Sequence, residues 1–511
     1  MDDKNKSHMM ITALAWVKRG YSKAVVDEAP IPNPEEQKQM IADMEGVEQL
    51  INEGEGEDKF DMENYDKEDN IPVFGEDYAE LIGKADLEDD GEGDIEMDDE
   101  QYPYQVDEDE EDKEDIVIKN TDALIVTAAA EQEYSNLEVY IYEEDNSNLF
   151  VHHELMLNAY PLCLEWLPYK PGEKASLSAK GNYIAVGTFK PGIEIWSLDV
   201  VDAVAPIMTL GGETKAAANV PLDSMKRKKK MLYYKEGSHL DAVLCLAAHP
   251  TQVNFLASGS ADRTIKIWDL GTQTCIRTIK NHKEKVQVLE WQPGNDKMLL
   301  SAGFDGKGVI TNTKNPNEKI YLDFKNTEIE SGCWHPTQTN WWFFSFEDGT
   351  VKAFDITKPD TPVLDFKAHE QQCTSVACSK ANESVLVTVS TDGNINVWDI
   401  KNLDESDKPK LIQTKNLKVG GLFTWKFYED SPWILAAGGM KGELCVWDLE
   451  ESEYIVKNFQ GVDAFNALKQ QERDAGVEGR ITPDPAGKDD EGESEDSEEM
   501  EEEMIEEIIN Q

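Results

Sequence analysis

One interval constrains this chain more than any other feature. His239 and Asp262, His282 and Asp305, and His369 and Asp392 each stand 23 residues apart, with a hydroxyl residue (Ser258, Ser301, Thr388) four positions before each Asp. Six positions after each Asp comes Trp268, Thr311 or Trp398. A polar set that recurs with its spacing intact implies one structural unit built several times. The fullest copy is residues 239–269, HLDAVLCLAAHPTQVNFLASGSADRTIKIWD. Its apolar runs, Val243 to Ala247, Phe255 to Ala257 and Ile265 to Trp268, read as three short strands separated by turns. Such a unit cannot bury its own apolar faces, so the copies must stack on one another.

The polar set has a physical reading of its own. A Trp N–H can donate to the hydroxyl, the hydroxyl to the His, and the His N–H to the Asp, tying three strands together. Each bond contributes about 1 kcal/mol net, and more where a carboxylate accepts. A hydroxyl, a His and an Asp also suggest a catalytic triad. Repetition in separate units, with Trp as the first donor, favours a structural network: His239, Ser258, Asp262 and Trp268; His282, Ser301 and Asp305; His369, Thr388, Asp392 and Trp398. Neither a phosphate loop nor an unrepeated nucleophile–base pair stands out, so no enzyme, cofactor or small-molecule substrate is expected.

Aligning the third strands on Trp268 gives Thr311, Phe354, Trp398 and Trp447, at separations of 43, 43, 44 and 49 residues. Upstream the slot falls on Trp196 and Tyr140, across longer insertions. A second series, Trp16, Trp166, Trp291, Trp334 and Trp425, reads as the end of a first strand in each unit. Seven units near a 40–45-residue period resemble WD repeats, and predict an all-β, seven-bladed WD40 β-propeller. The copies are uneven. Asp348 lacks a His partner, and Lys190 and Lys441 stand where blades two and seven would carry the Asp.

Charge divides the remainder. Of a net charge of −54, residues 27–115 hold 37 acids against five bases, and residues 484–511 hold fourteen acids and one Lys. The expected organisation is an inner strand of blade one at 9–17, then an acidic, largely disordered insertion over 27–115, with a helix predicted over 34–51 from Asn33-Pro34-Glu35-Glu36 and the apolar spacing behind it. The propeller follows over 116–460, interrupted at 210–237 by a loop carrying Lys226, Arg227, Lys228, Lys229 and Lys230. Residues 461–511 hold a short helix, placed at 460–473, and an acidic tail in which Ser494 and Ser497 read as substrates of an acid-directed kinase. The five consecutive bases read as a nuclear-localisation or RNA-contact element, with a solvated loop as the alternative. No apolar run is long enough to span a membrane, and MDDKNKSHMM has no apolar core of signal-peptide length, so a non-secreted protein is expected. The seven cysteines follow no disulfide framework and read as small core residues, and no metal site is expected.

Beyond the generic repeat, specific blocks carry a resemblance: ITALAWVKRG, EDIVIKNTDALIV, EQEYSNLEVYIY, VHHELMLNAYPLCLEWL and GNYIAVGTFKPGIEIWSLDVVDA, with the Lys-rich insertion before EGSHLDAVL. In these the chain resembles the periodic tryptophan protein one family of WD-repeat ribosome-assembly factors. The resemblance implies a non-enzymatic nucleolar factor in pre-rRNA processing and large-subunit assembly, whose partners would be pre-ribosomal particle proteins and pre-rRNA. The acidic segments would hold basic ribosomal proteins or histones. The alternative reading is a histone-binding chromatin adaptor or chaperone linked to rRNA gene transcription.

Overall fold

A computed structural model describes residues 9–29, 117–131, 134–144, 146–172, 180–214, 233–315, 317–324, 327–380, 382–404 and 406–460. The predicted helix at 34–51, most of the acidic insertion, the basic cluster and the tail lie outside the described residues.

The short alternating runs pair with their sequence neighbours into seven antiparallel sheets, which makes the chain a seven-bladed β-propeller. Blade one joins Met10–Val17 to Ala123–Ala130, Ser135–Glu143 and Asn148–Leu157. Blade two is Pro161–Tyr169, Lys180–Thr188, Ile193–Ser197 and Met208–Leu210. Blades three to six begin at Val243–Ala248, Val286–Trp291, Ile329–Trp334 and Cys373–Cys378, and each has four strands in chain order. Blade seven has three among the described residues: Leu422–Phe427, Ile434–Gly439 and Leu444–Asp448. The first strand of every blade is innermost and neighbours the first strand of the next, and Met10–Val17 lies beside both Pro161–Tyr169 and Leu422–Phe427. The ring is therefore closed by the N-terminal strand.

Two expectations are corrected. The unit has four strands in blades one to six, not three. The fourth, such as Thr274–Ile279, alternates exposed and half-buried residues, so its apolar signal is weak. Trp425 does not share the slot of Trp16, Trp166, Trp291 and Trp334. Pairing with the second strands places it level with Leu164, Leu246 and Leu289, and Phe427 takes the Trp slot. Separately, a helix α1 forms at Glu453–Phe459, just before the 460–473 span expected to be helical, with Ile455 and Val456 buried. The expected span itself lies outside the described residues from 461 onward.

Each innermost strand carries a register shift near its start, between Ile11/Ala13, Pro161/Cys163, Val243/Cys245, Val286/Val288, Ile329/Ser331, Cys373/Ser375 and Leu422/Thr424. A bulge leaves one residue out of the ladder and re-aims its side chain. Repeated in all seven blades, it puts one such residue per blade at the same end of the central channel.

Residues 18–29 stay on the body. Tyr21 packs edge-on to Trp166 at 5.0 Å, Asp27–Glu28 pairs in parallel with Val200–Val201, and the Ala29 N–H donates to the Val201 carbonyl at 3.1 Å. The returning chain is tied to the same place, since the Ile118 N–H donates to the Ala24 carbonyl at 2.9 Å.

Candidate functional site

The repeated polar residues are brought together within blades. In blade three the Trp268 indole donates to Ser258 Oγ at 2.8 Å, Ser258 Oγ lies 2.7 Å from His239 Nε2, and His239 Nδ1 lies 3.1 Å from Asp262 Oδ2. Asp262 also accepts from the Leu240 N–H at 3.0 Å and from the Thr264 N–H at 2.8 Å. His239, Ser258 and Trp268 are all buried. Burial holds the His239 imidazole below its ordinary pKa, against the pull of Asp262, so the ring stays neutral and its Nδ1–H donates. Burial works against ionisation of Asp262 as well, but the bonds from His239, Thr264 and Leu240 outweigh it and keep that carboxyl below its ordinary value.

Blade six repeats the set: Trp398 donates to Thr388 Oγ1 at 3.0 Å, Thr388 lies 2.8 Å from His369 Nε2, and His369 Nδ1 lies 3.3 Å from Asp392. In blade four Ser301 lies 2.8 Å from His282 Nε2 and His282 Nδ1 3.1 Å from Asp305, whereas Thr311 accepts from Asn281 at 2.6 Å instead of reaching Ser301. A group bonded this completely inside a sheet has no free face for a substrate. These are struts.

The irregular blades use a substitute that pattern-reading missed. In blade one Tyr140 donates to Glu138 Oε2 at 2.8 Å, and Thr127, level with the strut hydroxyls, donates to the same oxygen at 3.2 Å. In blade two the Trp196 indole donates to Glu194 Oε2 at 3.2 Å. Both glutamates sit two residues before the aromatic, where blade three has Lys266. That offset was the available signal.

Two of the first-strand tryptophans act between blades, whereas Trp166 donates within its own blade to Asn182 at 3.1 Å. Trp291 donates to the Ala247 carbonyl of blade three at 3.2 Å, and Trp16 donates to the Lys426 carbonyl of blade seven at 3.0 Å. Trp16 also stacks on Tyr428 at 4.4 Å. Around it Lys18 meets Glu429 at 2.8 Å, the Arg19 N–H donates to Asp430 at 2.8 Å, and the Arg19 guanidinium pairs with Glu144.

Of the remaining candidates, Lys226 to Lys230, Ser494 and Ser497 lie outside the described residues. The two ends of the basic loop are held together, with the Thr214 N–H donating to Tyr233 at 2.8 Å and the Lys235 N–H to Gly212 at 3.0 Å. Among the described residues no cluster of three or more His, Cys, Asp or Glu is arranged to hold a metal, and no helix is long and apolar enough to cross a membrane.

Comparison with known proteins agrees with the unevenness of the blades. The family WD domain, G-beta repeat, matches residues 231–269 and 360–399, the two stretches that end on the complete struts of blades three and six. Over larger spans the chain is similar to an uncharacterised WD repeat-containing protein of Schizosaccharomyces pombe, 34% identical across 75% of this chain and 72% of that one. It is 28% identical to Periodic tryptophan protein 1 of Saccharomyces cerevisiae, across 96% of this chain and 98% of the yeast protein. The Periodic tryptophan protein 1 homolog of Drosophila melanogaster is likewise 28% identical, across 80% of this chain and 81% of the fly protein.

Proposed function

The chain belongs to the periodic tryptophan protein 1 family of WD-repeat proteins, and from that premise we propose that it is a non-enzymatic scaffold of nucleolar ribosome biogenesis, acting in pre-rRNA processing and large-subunit assembly. The WD40 propeller is a scaffold fold, and the polar sets that could have been catalytic are consumed as struts. The observation that carries the reading is the reach of the yeast relationship, which takes in the irregular first blades and the insertions as well as the repeats.

In this reading the propeller docks protein partners and the cluster Lys226 to Lys230 contacts pre-rRNA phosphates, an interaction that weakens steeply with salt. The acidic stretches 27–115 and 484–511 hold basic ribosomal proteins. The test is sedimentation of a cell extract. Co-migration with large pre-ribosomal particles, shifted by RNase, is the expected result. Retention on chromatin and on purified histones, without any such shift, would replace it with the chromatin-adaptor reading.

A further inference from the structure

The bulged residues of the innermost strands meet in a cavity of about 380 Å³ in the central channel. Its wall is two-sided. Gln287, Glu330 and Thr374 of blades four, five and six form a polar arc, joined by Gln372, while Leu162 and Leu244 of blades two and three and Phe423 of blade seven supply a mostly apolar one. The apolar arc is broken at blade one by Thr12, whose hydroxyl is turned to the Ala128 carbonyl at 3.2 Å. Among the described residues, one acid, Glu330, and one base, Lys426, line it. They do not serve each other, because Lys426 pairs with Glu165 at 3.7 Å. Glu330 is left with a bond from Gln372 and with Glu347 and Glu328 as like-charged neighbours; burial and those neighbours raise its pKa, against the bond from Gln372.

We propose that this channel seats one basic side chain, Lys or Arg, presented by a segment of a partner protein. The aliphatic stem of such a residue fits the Leu162, Leu244 and Phe423 arc, and its cationic head meets the Glu330 carboxylate with the carboxamide and hydroxyl oxygens beside it. A neutral apolar side chain would leave Glu330 buried without a counter-charge, and an acidic one would be repelled. The inference stands on the channel alone and does not require the ribosomal reading.

The experiment uses the full chain and short labelled Gly-Ser peptides carrying a single central Lys, Arg or norleucine, with binding read by fluorescence anisotropy. Glu330→Gln keeps the shape and removes the charge. Glu443→Gln, on an exposed turn of blade seven, controls for general attraction of cations to an acidic protein. Saturable binding of the Lys or Arg peptide but not the norleucine one, weakened about tenfold by Glu330→Gln and unchanged by Glu443→Gln, is expected. Whichever of Lys and Arg binds more tightly identifies the head group. Equal binding by wild type and Glu330→Gln would overturn the proposal, as would spermidine binding that depends on Glu330 while neither peptide does. Because Glu330→Gln could alter packing, Phe423→Ala is the second variant. It must weaken the same peptide while the melting transition stays cooperative, and unchanged affinity would also overturn the proposal.

Discussion

In blade three the first strand is followed by the second after six residues, 249–254, whereas in blade one 105 residues, 18–122, separate Met10–Val17 from Ala123–Ala130. By the scaling of loop closure with length, joining the longer connection costs about 2.5 kcal/mol more. Blade three fastens its strands with a complete strut inside one sheet. Blade one has no His in its strut and gains its hold elsewhere, through Trp16 on Lys426 and Tyr428, Lys18 on Glu429, and Arg19 on Asp430 and Glu144. A blade whose first strand arrives from far along the chain is secured by its neighbour as much as by its own sheet. The same contacts close the ring.

Trp16→Ala tests this most severely. Losing a buried aromatic should cost about 3–5 kcal/mol, and because Trp16 also ties the first blade to the last, residues 10–17 should become sensitive to limited proteolysis. Trp291→Ala, in the equivalent slot of blade four, should lose comparable stability without opening that segment. Equal protease patterns for the two variants would show that closure does not depend on Trp16.

A smaller effect separates the two kinds of strut. Asp262→Ala strands the His239 Nδ1–H and the Leu240 and Thr264 N–H groups, at a cost of about 2–3 kcal/mol. Glu138→Gln keeps an acceptor for Thr127 and Tyr140 and should cost about 1 kcal/mol. Urea midpoints give the ranking, and a larger loss in blade one would reverse the comparison.

The least effect at neutral pH, growing in acid, concerns His153 of blade one. Its buried Nε2 has no hydrogen-bond partner among the described residues, and burial together with His152 pushes its pKa down to about 4. A base whose folded pKa lies below its unfolded value contributes full stability above the unfolded value, here 6.5, and loses it as pH falls toward 4. His153→Leu should therefore gain on wild type by up to about 1.4 kcal/mol per pH unit in that window. Measuring the difference between the two proteins cancels the background change as the acidic segments protonate. A constant difference from pH 7 to pH 4.5 would mean that the ring charges as readily in the fold as in the unfolded chain.

Much of the architecture was legible because a strut needs particular residues at particular distances, and a 43-residue recurrence is visible in one dimension. The outer strands were not, since a solvated strand such as Thr274–Ile279 carries little apolar pattern. Trp425 stands outside the Trp slot because Phe427, two residues on, completes the inner strand. The glutamate struts of blades one and two escaped because a carboxylate two residues from an aromatic looks like ordinary surface alternation until the strand is buried on both faces.

By itself, then, the order of residues determined a repeated all-β unit, its number of copies, the wiring of its best struts and the acidic and basic segments set apart from it. Tertiary structure alone decided how the first strand is fastened to blade seven, through Trp16 on Lys426 and Tyr428, and that Glu330, Gln287 and Phe423 share one cavity. The reason is geometric. A strut lies within one local stretch of chain, where spacing in sequence is nearly spacing in space. Closure and the channel depend on bulged registers and on blades far apart in the chain, which become neighbours only when the circle is complete.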